Sequence, residues 1–189
     1  MKRTLILVTA VYIASLVAGC GGKKSANQSN NPSAQDTGRQ ADINAINAVE
    51  AKLKTLTSLD VYNANLAITA YTQFSSHYPN DSLAPVYLFK AASMASSSGQ
   101  FQRAIGFYDN VCAKYPNFKQ MPYCIFGEGF IYDNYLKDTT KAHAKYQQVI
   151  DKFPDNVWAS QAKSAIADLG KTNEEIMKGF EEKNKKAKN

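Results

Sequence analysis

Side chains that carry out chemistry are scarce in this sequence, which has two histidines and three cysteines among 189 residues. Neither histidine has a cysteine or carboxylate at metal-ligand spacing, and no C-x-x-C pair is present. The acidic residues Asp109, Glu128 and Asp133 are scattered singly and indicate no paired-carboxylate site. We therefore expect no catalytic residue, no metal and no cofactor, and interpret the chain as a protein that is not an enzyme.

A basic stripe on the folded part of the chain is also missing. The net charge is +6, but residues 41–170 hold eleven basic and eleven acidic residues. The excess belongs to residues 1–40 and to the tail after residue 170. A nucleic-acid binder would carry its positive charge on the folded body. The charge pattern therefore predicts no nucleic-acid partner.

No apolar run is long enough for a membrane helix. The longest, residues 5–18, would span only about 21 Å as a helix, which is short of a bilayer core of about 30 Å. Two basic residues precede it and small residues follow it, as in a secretory signal peptide. We predict a signal peptide at residues 1–19.

The end of that segment, Val17, Ala18, Gly19 and Cys20, resembles the bacterial lipobox. The resemblance implies cleavage before Cys20 and lipidation (palmitate among the acyl chains) of its side chain and new N-terminus, which would anchor the protein stably. Glycine rather than aspartate follows the cysteine, which favours the outer membrane. Residues 20–40 hold no large apolar side chain beyond the cysteine, so we predict a flexible tether there, with the folded domain facing the periplasm.

A pattern recurs every 37 or 38 residues in the rest of the chain. Segments 67–79, 104–116 and 142–154 share an alanine, a tyrosine, an apolar residue, an aromatic residue and a proline. The first four fall at offsets of 0, 4, 7 and 11, which is one face of an α-helix. Because proline disfavours continued helix, each segment predicts the second helix of a repeating hairpin.

Gly129 and Tyr132, followed by Ala142, Tyr146 and Pro154, resemble the pattern of the tetratricopeptide repeat (TPR). This resemblance implies an all-α fold, an α-solenoid of about three to four TPR hairpins over residues 41–170. A capping helix and basic tail would follow at 171–189. The "YPN" and "FPD" turns together with the lipobox resemble two groups of envelope proteins, the BamD lipoproteins of outer-membrane barrel assembly and the C-terminal TPR domain of YbgF-type proteins.

In the TPR family the first helices line a concave groove. Equivalent positions of the second and third repeats place six side chains there: Val86, Phe89, Ser93, Tyr123, Phe126 and Phe130. An aromatic groove suits a peptide held by apolar anchors. The alternative is that these aromatic residues are covered by the helix predicted around residues 43–56 or by a neighbouring repeat.

Four further residues need an explanation. Cys112 and Cys124 fall at similar levels on two adjacent helices, so they are either a disulfide or two small buried thiols. His77 shares its repeat position with lysines in the last helical turn and is expected at the surface. His143 replaces an isoleucine of the other repeats, which predicts half-buried packing.

Two functions fit the sequence. The first is a lipid-anchored scaffold that binds a protein partner in the cell envelope during outer-membrane or cell-wall assembly. The second is a structural envelope lipoprotein that associates with itself and has no peptide-binding groove.

Overall fold

The computed structural model describes residues 34–186, without the side chains of Ala34, Gln35, Asn173, Ile176, Phe180, Lys183 and Lys186. Within that range every regular element is an α-helix. The helices are α1 (Ala34–Leu53), α2 (Val61–His77), α3 (Ala84–Ser97), α4 (Phe101–Lys114), α5 (Met121–Asn134), α6 (Thr139–Lys152), α7 (Val157–Asp168) and α8 (Asn173–Lys186). The predicted signal peptide, residues 1–19, and the predicted lipidation site Cys20 lie outside the described residues.

From α1 to α7 each helix packs against the next one along the chain, and α5 also contacts α7. The first six helices form three successive hairpins, α1/α2, α3/α4 and α5/α6. This order confirms the predicted all-α class and the α-solenoid architecture. Among the described helices none is both long and apolar enough to cross a membrane.

The repeated aromatic–proline pairs end the second helix of each hairpin. Tyr78, Tyr115 and Phe153 each donate their N–H to the carbonyl four residues earlier, and a proline follows each of them. Proline lacks an N–H and disfavours helical geometry in the residue before it. The next first helix starts with a proline in its first turn, Pro85 in α3 and Pro122 in α5. There the missing N–H does no harm, because it would have no partner within the helix.

Polar caps fix other helix starts. Asp60 accepts a hydrogen bond from the N–H of Asn63 at 2.7 Å, and Asp138 accepts one from the N–H of Lys141 at 3.0 Å. Such caps satisfy N–H groups that have no partner within the helix. After α7, Gly170 takes a φ of +81°, which glycine adopts without strain, and so ends that helix.

The interior consists of two groups of buried residues. One spans the first two hairpins, extends onto α5 of the third, and includes Ile68, Phe74, Tyr108, Cys124 and Ile131. The other joins α5, α6 and α7 and consists of Met121, Ile125, Ala142, Tyr146, Val149, Ala159 and Ala162. Cys112 and Tyr132 pack against both groups. The junction between the second and third hairpins is therefore one continuous packed region.

The first helix begins earlier than the composition suggests. α1 starts at Ala34, inside the segment 20–40 that predicts a tether. Its first turns are tied down by charge rather than by apolar burial, since the Arg39 guanidinium pairs with the Asp81 carboxylate at 2.5 Å. For residues 34–40 the predicted tether is therefore wrong.

The predictions for the two histidines have different outcomes. His77 is exposed at the end of α2, as expected, and its Nδ1 lies 2.7 Å from Oδ2 of Asp42. His143 is exposed, so the prediction of half-buried packing is wrong. The group of residues that buries Ala142 and Tyr146 of the same helix does not extend to His143, and a polar imidazole is free to remain in water.

Candidate functional site

The predicted groove residues lie on α3 and α5, in the second and third hairpins. The three on α3, Val86, Phe89 and Ser93, are half-buried. On α5, Tyr123 and Phe126 are half-buried, whereas Phe130 is 42% exposed. The face is therefore more open at the C-terminal end of α5 than along α3.

Phe89 is occupied by contacts within the fold. Its ring centroid lies 5.3 Å from that of Tyr123, 6.0 Å from that of Phe118 and 6.2 Å from that of Tyr108. Phe89 thus connects the second hairpin to the third through aromatic contacts within the fold.

An open cavity lies next to this aromatic cluster. It has a volume of about 210 Å³ and is called the aromatic pocket below. Its lining comes from four helices, α3, α4, α5 and α7: Ser96, Tyr108, Tyr123, Phe126, Gly127, Phe130 and Trp158. Three of the six predicted groove residues line it, namely Tyr123, Phe126 and Phe130; Val86, Phe89 and Ser93 do not.

Small residues in the lining of the aromatic pocket let the large ones approach closely. Gly127 has no side chain, and a Cβ placed there would lie 3.2 Å from the Tyr108 ring. The equivalent residue of α3, 37 positions earlier, is Lys90. Ser96 is also small and contributes to the wall beside Tyr108.

Trp158 forms one wall from outside the two hairpins. Its ring centroid lies 4.7 Å from that of Tyr123 and 5.0 Å from that of Phe126. The helix that contacts the α5 aromatic residues is therefore α7, whereas α1 packs mainly on α2. The alternative of a covered groove holds in part for Phe126, which also packs on Tyr146, but not for the exposed Phe130.

Sequence reasoning missed four of the lining residues. Tyr108 has the same repeat position as buried core tyrosines, so the sequence predicts a core residue there and gives no sign that its ring also lines the aromatic pocket. Gly127 and Ser96 could have been noticed because the equivalent residue of Gly127 is a lysine. Trp158 belongs to the next repeat unit, and its position depends on how α7 folds back onto α5.

Larger cavities lie elsewhere on the described surface. One of about 470 Å³ lies between the two inter-repeat turns, residues 79–82 and 114–119 with Pro85. These turns supply backbone groups, asparagines and lysines, and few large apolar side chains. Its lining includes the charged residues Asp81, Lys114 and Lys119 beside Tyr115 and Phe118, so this depression is more polar than the aromatic pocket.

A buried ion pair lies inside the third hairpin. Glu128 of α5 is 0% exposed and contacts the Lys145 ammonium of α6, and the same ammonium lies 3.3 Å from Oδ1 of Asp109 on α4. Burial raises the pKa of Glu128 to about 7, because removing a carboxylate from water penalises its charged form more than Lys145 stabilises it. Residues that the sequence leaves scattered thus meet across three helices.

This carboxylate–lysine cluster has no access to solvent at Glu128, so it cannot meet a substrate there. Nowhere in the described part of the chain do three or more metal-ligating side chains gather in a way that could hold an ion. The arrangement is best explained as a structural link between α4, α5 and α6.

Cys112 and Cys124 are free thiols on adjacent helices, α4 and α5, and Cys112 packs against the group of buried residues that contains Cys124. Cys124 is buried and Cys112 is half-buried. This placement fits the predicted proximity, and the structure holds the pair as thiols.

Comparison with known proteins identifies two segments of the chain as tetratricopeptide repeats, residues 87–117 and 123–156. They coincide with α3/α4 and α5/α6, the hairpins that supply most of the aromatic pocket. The structure is therefore an α-solenoid that contains TPR hairpins.

The chain is also similar to a TPR repeat-containing protein of Treponema pallidum (strain Nichols). The two are 37% identical over 86 residues, which cover 45% of this chain and 35% of the relative. The aligned part thus spans about a third of that relative's length. TPR proteins are typically non-catalytic scaffolds that bind protein partners.

Proposed function

We propose that this protein is a scaffold that docks a protein partner by binding a bulky apolar side chain of that partner in the aromatic pocket. The observation that carries this proposal is the combination of an open cavity of about 210 Å³ with an exposed phenylalanine, Phe130, at its edge. Aromatic anchors near the centre of an interface commonly supply most of the binding energy.

The chemistry of the lining defines the partner. None of the side chains that line the aromatic pocket carries a charge near neutral pH. A charged group placed there would lose its hydration without gaining an opposite charge. The docked segment should therefore present an uncharged leucine, phenylalanine or similar side chain, on a helix or an extended strand.

We further propose that a lipid on Cys20 holds this scaffold at the outer membrane, facing the periplasm, and that the partner belongs to outer-membrane or cell-wall assembly. The lipobox resemblance of residues 17–20 and the signal-like segment before it support this placement. A Cys20→Ala variant should leave the membrane fraction and become soluble in the periplasm. Continued sedimentation of that variant with membranes would refute the anchor.

The docking proposal is tested by photo-crosslinking in cells. A photoreactive phenylalanine analogue replaces Phe130, and a matched probe replaces Tyr62, which is 69% exposed on α2 and does not line the aromatic pocket. We expect an adduct with a distinct protein from the Phe130 probe and not from the Tyr62 probe. Mass spectrometry of that adduct identifies the partner and its pathway.

Two other outcomes contradict docking. Adducts between two copies of this chain would favour the self-associating structural lipoprotein, for which the exposed Phe130 and Tyr135, with ring centroids 6.0 Å apart, would supply the contact surface. Equal adducts from both probes would mean that exposure alone explains the crosslinks.

A further inference from the structure

The second and third hairpins meet at a pair of thiols. Cys112 lies in the last turn of α4, Cys124 lies in the first turns of α5, and only a short connection separates the two helices. The two helices pack together, and Cys112 packs against the group of buried residues that contains Cys124. Cys112 also packs against the other group of core residues, so the thiol pair lies where the two halves of the interior join.

The two thiols have different surroundings. Cys124 is fully buried, whereas Cys112 is half-buried and therefore within reach of a reagent. The hydrogen bond that Cys124 donates lowers the pKa of Cys112, and the nearby Lys145 ammonium acts in the same direction. The same hydrogen bond and burial raise the pKa of Cys124. Cys112 is thus the thiol that ionises and reacts first.

We propose that Cys112 and Cys124 form a reversible disulfide that fastens α4 to α5 beside the aromatic pocket. The inference rests on the proximity of the thiols and their unequal accessibility. It does not depend on the identity of a docking partner, nor on whether the aromatic pocket binds one.

The oxidant is a small or protein disulfide, represented here by glutathione disulfide. The Cys112 thiolate attacks one sulfur of the oxidant, which forms a mixed disulfide and releases one glutathione thiolate. The Cys124 thiolate, after loss of its proton, then attacks Sγ of Cys112 and releases the second glutathione. Two protein thiols are oxidised, one glutathione disulfide is reduced to two glutathione molecules, and these take up the two protons.

The bond would act directly on the aromatic pocket. Tyr108 lies one turn before Cys112 on α4, and Tyr123 precedes Cys124 on α5. Both tyrosines line the aromatic pocket, and their ring centroids are 6.3 Å apart. A covalent link between α4 and α5 therefore limits how far the two sides of the aromatic pocket can separate.

The test uses the full-length chain with Cys20→Ala, so that Cys112 and Cys124 are its remaining cysteines. The protein is equilibrated in glutathione buffers of increasing oxidised fraction and then trapped with a maleimide. Intact mass and peptide mapping detect the intramolecular link, and thermal unfolding is followed for the reduced and oxidised forms. Single variants, Cys112→Ser and Cys124→Ala, serve as controls.

We expect oxidation to remove two hydrogens from the protein, to link the two cysteine peptides and to raise Tm by roughly 10 °C, as is typical for a cross-link that closes a short loop. Neither single variant should show that rise. A protein that ends with glutathione on Cys112 and a free Cys124, or that forms dimers through Cys112, would overturn the proposal. So would an internal disulfide that leaves Tm unchanged or lowers it.

Because reduced and oxidised forms of one chain are compared, the result does not require the substituted proteins to fold. Failure of the crosslinking experiment at Phe130 would leave this proposal intact. Failure of the disulfide to form would likewise leave the docking proposal standing.

Discussion

The second hairpin, α3/α4, and the third, α5/α6, share a small residue and a tyrosine at equivalent buried positions, called the frame below. The side chains around the frame differ between the two hairpins. In both, a small residue of the first helix and a tyrosine of the second are buried at equivalent repeat positions: Ala92 and Tyr108, and Gly129 and Tyr146. Around the frame the second hairpin has buried alanines. The third hairpin has a buried glutamate and a buried thiol, and its first helix lines most of the aromatic pocket.

Three pairs of equivalent positions, 37 residues apart, carry most of this difference. Ala91 corresponds to Glu128, Lys90 to Gly127 and Ser93 to Phe130. The frame residues are the same kind in both hairpins. The neighbouring positions differ between the hairpins, although both have the same order of helices. The third hairpin is therefore where we expect substitutions to separate stability from binding.

The largest expected effect comes from breaking the buried ion pair. The counterpart of Lys145 in the second hairpin is Phe107. Lys145→Phe alone leaves the fully buried Glu128 without its cation and should cost about 3 kcal/mol of unfolding free energy at pH 8. The double variant Glu128→Ala with Lys145→Phe gives the third hairpin the apolar pair of the second and should regain most of that loss.

Urea unfolding at pH 8 measures both variants. A double variant no more stable than Lys145→Phe alone would mean that the loss comes from packing of the lysine stem and not from an unpaired carboxylate. In that case, replacing the ion pair by residues of the types found at Ala91 and Phe107 would not stabilise the third hairpin.

The next effect is a dependence of stability on pH. The pKa of Glu128 is about 7 in the folded protein and near its ordinary value of 4.5 when unfolded. Between these values the folded state binds more protons than the unfolded state, so its stability falls as the pH rises. The loss between pH 5 and pH 7.5 should be about 2 kcal/mol.

Glu128→Gln removes the titrating group, so the pH slope in that window should disappear while the helix content stays unchanged. Urea unfolding at several pH values decides the matter. The same slope in the wild type and in Glu128→Gln would assign the effect to other groups.

The hairpin frame could be predicted from sequence because it depends on local and periodic signals. Alanine, tyrosine and proline recur at fixed offsets, and each proline ends a helix by its own geometry. The start of α1 could not be predicted in this way. Its first turns are held by Arg39 and Asp81, which are 42 positions apart, and no periodic apolar signal marks that contact.

The site was only half predictable for the same reason. Tyr123, Phe126 and Phe130 follow from equivalent positions in the repeats. Trp158 enters the aromatic pocket only because α7 returns to α5, and Glu128 meets Lys145 and Asp109 only because three helices converge. Equivalent positions of the repeats predict the residues that the repeats have in common. They do not predict contacts between residues at different repeat positions. The signal peptide and Cys20 remain predictions from the sequence.

A smaller effect tests the close contact within the frame. A Cβ at Gly129 would lie 2.8 Å from the Tyr146 ring, whereas Ala92 is accommodated at the same position of the second hairpin. Gly129→Ala should therefore cost about 1.5 kcal/mol through overpacking. Gly106→Ala is the control, because nothing lies within 4 Å of its Cβ and α4 should gain roughly 0.5 kcal/mol.

Thermal unfolding of the two variants gives the sign directly. If Gly129→Ala were as stable as Gly106→Ala, α5 could move away from Tyr146 at no cost. The third hairpin would then be as tolerant as the second at this position.

The smallest effect on stability should accompany the largest effect on binding. Phe130→Ser gives α5 the residue that α3 has at Ser93. Because Phe130 is 42% exposed, its loss should change the unfolding free energy by no more than about 0.5 kcal/mol. The loss of binding free energy should be larger, because burying an apolar side chain against Phe130 contributes about 1.5 to 3 kcal/mol.

A photoreactive probe at Tyr135, whose ring centroid lies 6.0 Å from that of Phe130, can report binding without replacing Phe130 itself. We expect Phe130→Ser to lower the adduct yield from that probe about tenfold, as a loss of about 1.4 kcal/mol requires. Tyr62→Ser removes an even more accessible aromatic ring from α2 and should leave the yield unchanged. Equal yields from both variants would contradict the docking proposal. If Phe130 contacts a bound partner, its replacement by serine must weaken binding. The second and third hairpins would then differ in shape at this position but not in function.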